Sequence, residues 1–299
     1  MAKLFTLVRD APYSPYASTL TRPGIAIRTA QILRLHEERD YPRSIESEVR
    51  RRTWWTLVMA DQWCSAGLGL PRQLRASGHS VNLPCDESDF HNTPVSAGSI
   101  RASDRPKTGL WAFMITLGSI FERVQKLNWQ LVDHTGHSMD DIDRTVESLA
   151  HNLTSWELSL PPLYKWSLEN LTEHRRLGTG GAFIALFIGY HHYSTLLYFQ
   201  FLDQRRNSTQ RHFEYARACH VHALCYSDIL AISRTHEGCD AVYATVGHMT
   251  TVSSSVLLHK LLFGDETSIP KTRDALCSNF EALVKLRHFW PRLSNTVGR

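Results

Sequence analysis

The side chains best equipped for chemistry are sixteen histidines and six cysteines. Their densest group is CHVHALC, residues 219–225. On a helix Cys219, His222 and Cys225 share one face, and two thiolates with an imidazole are legitimate zinc ligands. Structural zinc sites, however, gather such ligands across short loops, and Cys is a common small core residue. A core role is the expectation, with Cys219, His222 and Cys225 kept as the alternative metal candidates. His191 and His192 are adjacent and diverge by about 100° on a helix. They are expected as one buried ring and one at the surface. Neither GxSxG nor HExxH occurs, and DESDF (86–90) and MDDID (139–143) lack the spacing of a calcium loop. The glycines of GTGG, 178–181, have no strand before them and no Lys-Ser/Thr after them, as a phosphate loop requires. They read as a flexible turn. No catalytic residue and no metal ligand is assigned, and an enzyme is not expected.

A second segment, EVRRRTWWTLVMADQWCS at 48–65, sets three arginines against two tryptophans. Three successive arginines fan around a helix. They cannot all face solvent if the tryptophans face the core, so at least one lies near the buried side and needs an acid. Asp61 is a candidate partner, as is an acid from another helix, and a guanidinium stacked on an indole is a further option. The segment reads as an internal cross-brace. A nucleic-acid surface would need basic residues alone on one exposed face, and this helix carries acids there too.

These residues require helices to hold them. The segment from Gly24 shows Ile25, Ala26, Thr29, Ile32, Leu33 and His36 at helical spacing, with Pro42 ending the region. Ser44 is a plausible N-cap for a helix to about Ser65, supported by Glu46/Arg50 and Glu48/Arg52 four apart. Gly67 and Gly69 stop it, and Pro71 forbids its resumption. Residues 71–108, rich in Pro, Ser, Asn, Asp and Gly, read as a long irregular connection. Helical pattern returns at 109 and recurs over 139–158, 180–203, 210–233, 239–263 and 271–288, with a polar stretch at 167–178. No alternating strand appears between them. The expectation is an all-α, bundle-like domain over 24–299, preceded by a loose arm at 1–23 that carries Pro12, Pro15 and Pro23.

The chain is long enough for a large core, with 42% hydrophobic residues in 299, and its net charge of +4 is low for a dedicated nucleic-acid binder. No secretory signal is read at the N-terminus, so the scattered cysteines are expected as thiols. Residues 180–203 form the most apolar run. His191, His192, Ser194 and Thr195 interrupt it and favour a buried helix over a membrane span.

The order of three segments resembles a known family. GIAIRTAQILRLH, then IESEVRRRTWWTLVMADQWCSAGLGLP, then VNLP is similar to the fungus-specific transcription factor domain. That domain is the "middle homology region" that follows the zinc binuclear cluster of Zn2Cys6 regulators. Its signature positions fall here on Leu35-His36, Glu48, Arg50, Arg51, Arg52, Trp54, Trp55, Asp61, Gly69 and Pro71. Downstream, LTSWELSLPP and YHHYSTLLYFQFL resemble further family segments, and the likeness is clearest over 24–232. There are departures. Arg34 stands where the family has Gly before Leu35, Gln62 where Arg is common, and Leu70 where Gly-Arg-Pro has Arg. No cysteine has another within three positions, so the family's six-cysteine zinc cluster is not expected in this chain. The resemblance implies a nuclear regulatory domain without its own DNA reader. It would act through other transcription-regulatory proteins or a DNA-binding subunit, with a small-molecule inducer as a further partner. The signature residues are expected to be structural.

Overall fold

A computed structural model describes residues 16–38, 44–68, 70–74, 80–91, 108–132, 138–203 and 209–290. Among them the regular structure is helical: α1 (Tyr16–Ile32), α2 (Ile45–Leu68), α3 (Glu87–His91), α4 (Leu110–Val132), α5 (Met139–Ser159), α6 (Leu168–Arg176), α7 (Gly180–Tyr198), α8 (Gln210–Thr235), α9 (Ala244–Phe263) and α10 (Ile269–Phe289). The one extended pairing among the described residues is an isolated bridge between Cys85 and Thr108. The all-α expectation holds. No described helix is long and apolar enough to cross a membrane.

The chain divides into two compact units, 1–125 and 126–299, with the division inside α4, whereas the sequence pattern reads as one domain over 24–299. In the first unit α2 buries Trp54, Trp55, Val58, Met59 and Gln62. α4 buries Leu110, Ile115, Leu117 and Phe121. At Gly118 a Cβ would sit 2.9 Å from Met59 Sδ, and Gln62 Nε2 donates to the Gly118 carbonyl at 2.6 Å, so glycine permits this close approach.

α1 departs from expectation twice. It begins at Tyr16, inside the segment read as an arm, and continues through Pro23, whose missing N–H costs one backbone bond without ending the helix. Residues 1–15 lie outside the described set. Its phase is also shifted: Ile27 and Ala30 are buried, whereas Ile25, Ile32 and Leu33 face outward. The helix then stops at Ile32 rather than running on toward Pro42. The Leu35 amide returns to Ala30 and the Arg34 amide to Gln31, both carbonyls at about 3 Å, with Arg34 at φ +54°. This is a Schellman stop with Arg34 in the left-handed position and buried Leu35 against buried Ala30.

In the second unit α7 is apolar around its whole circumference and is correspondingly buried. It packs against α5, α6, α8 and α9, while α8, α9 and α10 pack on one another. α5 offers Ile142, Val146, Leu149, Leu153 and Trp156 at alternating spacings of four and three, and Ser138 caps it by accepting from the Asp141 amide. The polar stretch 167–178 contains α6, which its composition disguised. Ser167 accepts from the Asn170 amide, Glu169 lies in the first turn, and His174, Arg175 and Arg176 lie in the last. The GTGG segment is a tight junction rather than a flexible turn. Added Cβ atoms at Gly180 and Gly181 would meet the Gly238 carbonyl at 3.0 Å and the Asp240 carbonyl at 3.1 Å.

Candidate functional site

The signature residues of α2 converge on one buried carboxylate. Glu48 is fully buried and lies in the first turn of α2, with both of its arginine partners on the next turn. Its Oε2 accepts from Arg51 Nη1 at 2.6 Å, and its Oε1 from Arg52 Nε at 2.8 Å. The same Oε1 takes the Cys85 amide at 3.0 Å. Arg52 continues to the Cys85 carbonyl at 2.7 Å and lies over the Phe90 ring at 4.5 Å. Arg51 also reaches Glu38 at 2.5 Å, and Glu38 accepts the Asn82 amide at 2.9 Å. Burial works to raise the Glu38 carboxyl, but the bonds from Arg51 and Asn82 outweigh it and hold its pKa below the ordinary glutamate value. Burial likewise opposes the Arg51 charge, and the two glutamates more than restore it.

Arg50 points the other way. Its Nη2 donates to the carbonyls of Leu33 and Arg34, at 2.9 and 3.2 Å, and so caps the C-terminal end of α1. Trp54 is buried with its ring 5.8 Å from His36, and Trp55 donates from Nε1 to the Asn82 carbonyl at 2.9 Å. The brace thus ties α1, α2 and segment 80–91 together. α3 extends it, because Glu87 accepts the Leu110 and Trp111 amides at 2.8 and 3.1 Å and caps α4. A cavity of about 20 Å³ beside Leu35, Glu38, Arg50 and Arg51 has room for about one water.

Asp61 does not carry the role foreseen for it. It is buried and accepts the Gln73 and Leu74 amides at 3.0 and 2.8 Å, with Arg72 at 3.9 Å; the brace arginines pair with Glu48 and Glu38 instead. The geometry explains the choice. Glu48 lies three and four residues before Arg51 and Arg52, on the same helical face, whereas Asp61 is more than two turns further on. The guanidinium stacks on Phe90 rather than on an indole. Gly69 lies outside the described residues, and Pro71 is exposed. Glu38, Asn82, Cys85 and Glu87 belong to the site and were not singled out from sequence; the last three reach α2 across a long irregular connection.

The alternative metal candidates are not assembled. Cys219 is buried in a core cluster with Leu202, Ala223, Val256, Leu257 and Leu276, and its thiol meets the Thr195 carbonyl at 3.5 Å. Burial pushes that thiol well up. His222 instead meets His191, Nδ1 to Nδ1, at 2.9 Å. His191 is therefore turned inward against α8, not outward, and burial with the facing His222 lowers it to about 3. Among the described residues no three His, Cys, Asp or Glu side chains are placed to hold a metal ion.

Taken together, the ion-pair brace on an all-α scaffold makes this site a structural one that positions helices. Residues 16–158 match the model of the fungal specific transcription factor domain. Relatives include two Zn(2)-C6 fungal-type transcription factors of Fusarium oxysporum f. sp. lycopersici. FTF1c is 24% identical over 89% of this chain and 32% of its own length, and FTF2 is 23% identical over 89% and 28%. Activator of stress genes 1 of Saccharomyces cerevisiae is 26% identical over 71% of this chain and 21% of its own. The chain thus spans about a third or less of the length of these relatives. No solved structure matches it. The six cysteines are free thiols, and Cys219 and Cys239 are fully buried.

Proposed function

We propose that this chain serves in the nucleus as a transcription-regulatory domain, by protein contacts and not by catalysis. Its partners in this reading are other transcription-regulatory proteins or a DNA-binding subunit. The observation that supports it is the brace itself. Inside the matched span Glu48, Arg51 and Arg52 are satisfied by one another and by backbone, and Arg50 by the carbonyls at the end of α1. A side chain so occupied positions helices and leaves no group free to act on a substrate. A small-molecule inducer, if the domain uses one, binds elsewhere than the water-sized cavity beside the brace.

The test is to fuse the chain to an unrelated DNA-binding domain and read a reporter carrying that domain's site. Expression is expected to change several-fold, in either direction. A reporter indistinguishable from the DNA-binding domain alone overturns the reading. Sequence-selective, salt-sensitive binding of the unfused chain to DNA overturns the part that denies it direct recognition.

A further inference from the structure

Histidine pairs bridge each couple of helices among α7, α8 and α9. His191 meets His222 between α7 and α8, His192 faces His248 between α7 and α9, and His220 meets His259 between α8 and α9. The three differ in what they could bind. The His192 and His248 rings lie 6.0 Å apart, and His192 is buried. The His191–His222 nitrogens are 2.9 Å apart and surrounded by Tyr190 and Tyr198.

His220 and His259 are both half-buried, and His220 Nε2 lies 3.3 Å from His259 Nδ1. That distance is long for a hydrogen bond but suits a shared ion. With Zn–N bonds near 2.05 Å, nitrogens 3.3 Å apart subtend about 107° at the metal, close to the tetrahedral angle. We propose that His220 Nε2 and His259 Nδ1 form a two-histidine site for a divalent transition metal, zinc by geometry, with solvent completing the coordination. Burial, Lys260 and His259 lower His220 to about 4, so its ring is neutral at ordinary pH, as ligation requires. The His259 ring is steadied by Phe263, 4.9 Å away. An ion there clips α8 to α9. Lys260 works against the added charge, so the site is expected to bind zinc more weakly than a full structural zinc site.

Titration calorimetry of zinc into the whole chain tests this. One equivalent is expected to bind, with affinity falling at least tenfold in His220→Gln and in His259→Gln. Cobalt(II) gives a second reading that needs no variant: tetrahedral visible bands without a thiolate charge-transfer band in the near ultraviolet. Three results overturn the proposal: no saturable binding up to about 1 mM zinc, variants that titrate like the parent, or a cobalt spectrum showing thiolate ligation. None of them bears on the transcriptional reading, which does not depend on the metal.

Discussion

Glu48 is the residue on which the first unit depends most. It is buried and accepts from three donors, so losing the charge leaves Arg51 to Glu38 alone and Arg52 to the Cys85 carbonyl and the more distant Glu87. Glu48→Gln is expected to cost about 3 kcal/mol in chemical denaturation, the range for breaking a buried pair. Glu46→Gln, on the exposed side of the same turn, should stay within about 0.5 kcal/mol. The double variant Arg51→Ala, Trp55→Ala should also melt well below the parent. A parent-like melt would contradict the cross-brace. Arg34 gives the opposite sign. It holds a left-handed conformation that costs an L side chain about 1 kcal/mol and suits glycine, and its bridge to Glu37 is exposed. Arg34→Gly should therefore raise the stability of the first unit by up to about 1 kcal/mol, read as a higher denaturation midpoint.

At the scale of elements, what was legible depended on whether the determining partner lay nearby in sequence. α2, α4, α5, α8 and α10 followed from periodicity, because their buried faces repeat every three to four residues, and α7 from its long apolar run. The Glu48–Arg52 pair was legible because both residues share one helix. α6 was not, since Leu171 and His174 are its buried residues, and its Ser167 cap and charged ends outweigh polar composition. The phase of α1 was misread because its outward Ile25, Ile32 and Leu33 mimic a core stripe. The far half of the brace, Asn82, Cys85 and Glu87, depends on a chain reversal that no local pattern encodes. The junction at Gly180 is a further case. A methyl there would press on the Gly238 carbonyl at 3.0 Å and on Cys239 Sγ at 2.8 Å. Gly180→Ala should cost about 1 to 3 kcal/mol, measured by thermal melting.

At the scale of the whole chain the two units should respond differently to acid. In the second, burial lowers His191 to about 3 and His222 to about 4, against an unfolded value near 6.5. The unfolded chain thus takes up protons first. The stability these rings contribute is complete above about pH 6.5 and drains away below it, by about 1.4 kcal/mol per pH unit for each ring. Urea midpoints measured at pH 7.5 and 5.5 should fall for the second unit, and His191→Gln with His222→Gln should flatten that slope. In the first unit Glu38 is held below its ordinary value, so its contribution persists to more acid pH and is lost only as pH drops through the carboxylate range.

The way Glu48 is shared also bears on how this sequence can drift. Two oxygens serve Arg51, Arg52 and an amide 37 residues away. A change at Glu48, Arg51 or Arg52 alone removes a partner from a buried charge network, while a simultaneous apolar replacement of these three side chains need not be unstable at all. Any route between the two solutions by single steps passes through variants that fold poorly. The brace is therefore a historical ratchet: once assembled, it can be held or lost as a block, but not exchanged one residue at a time.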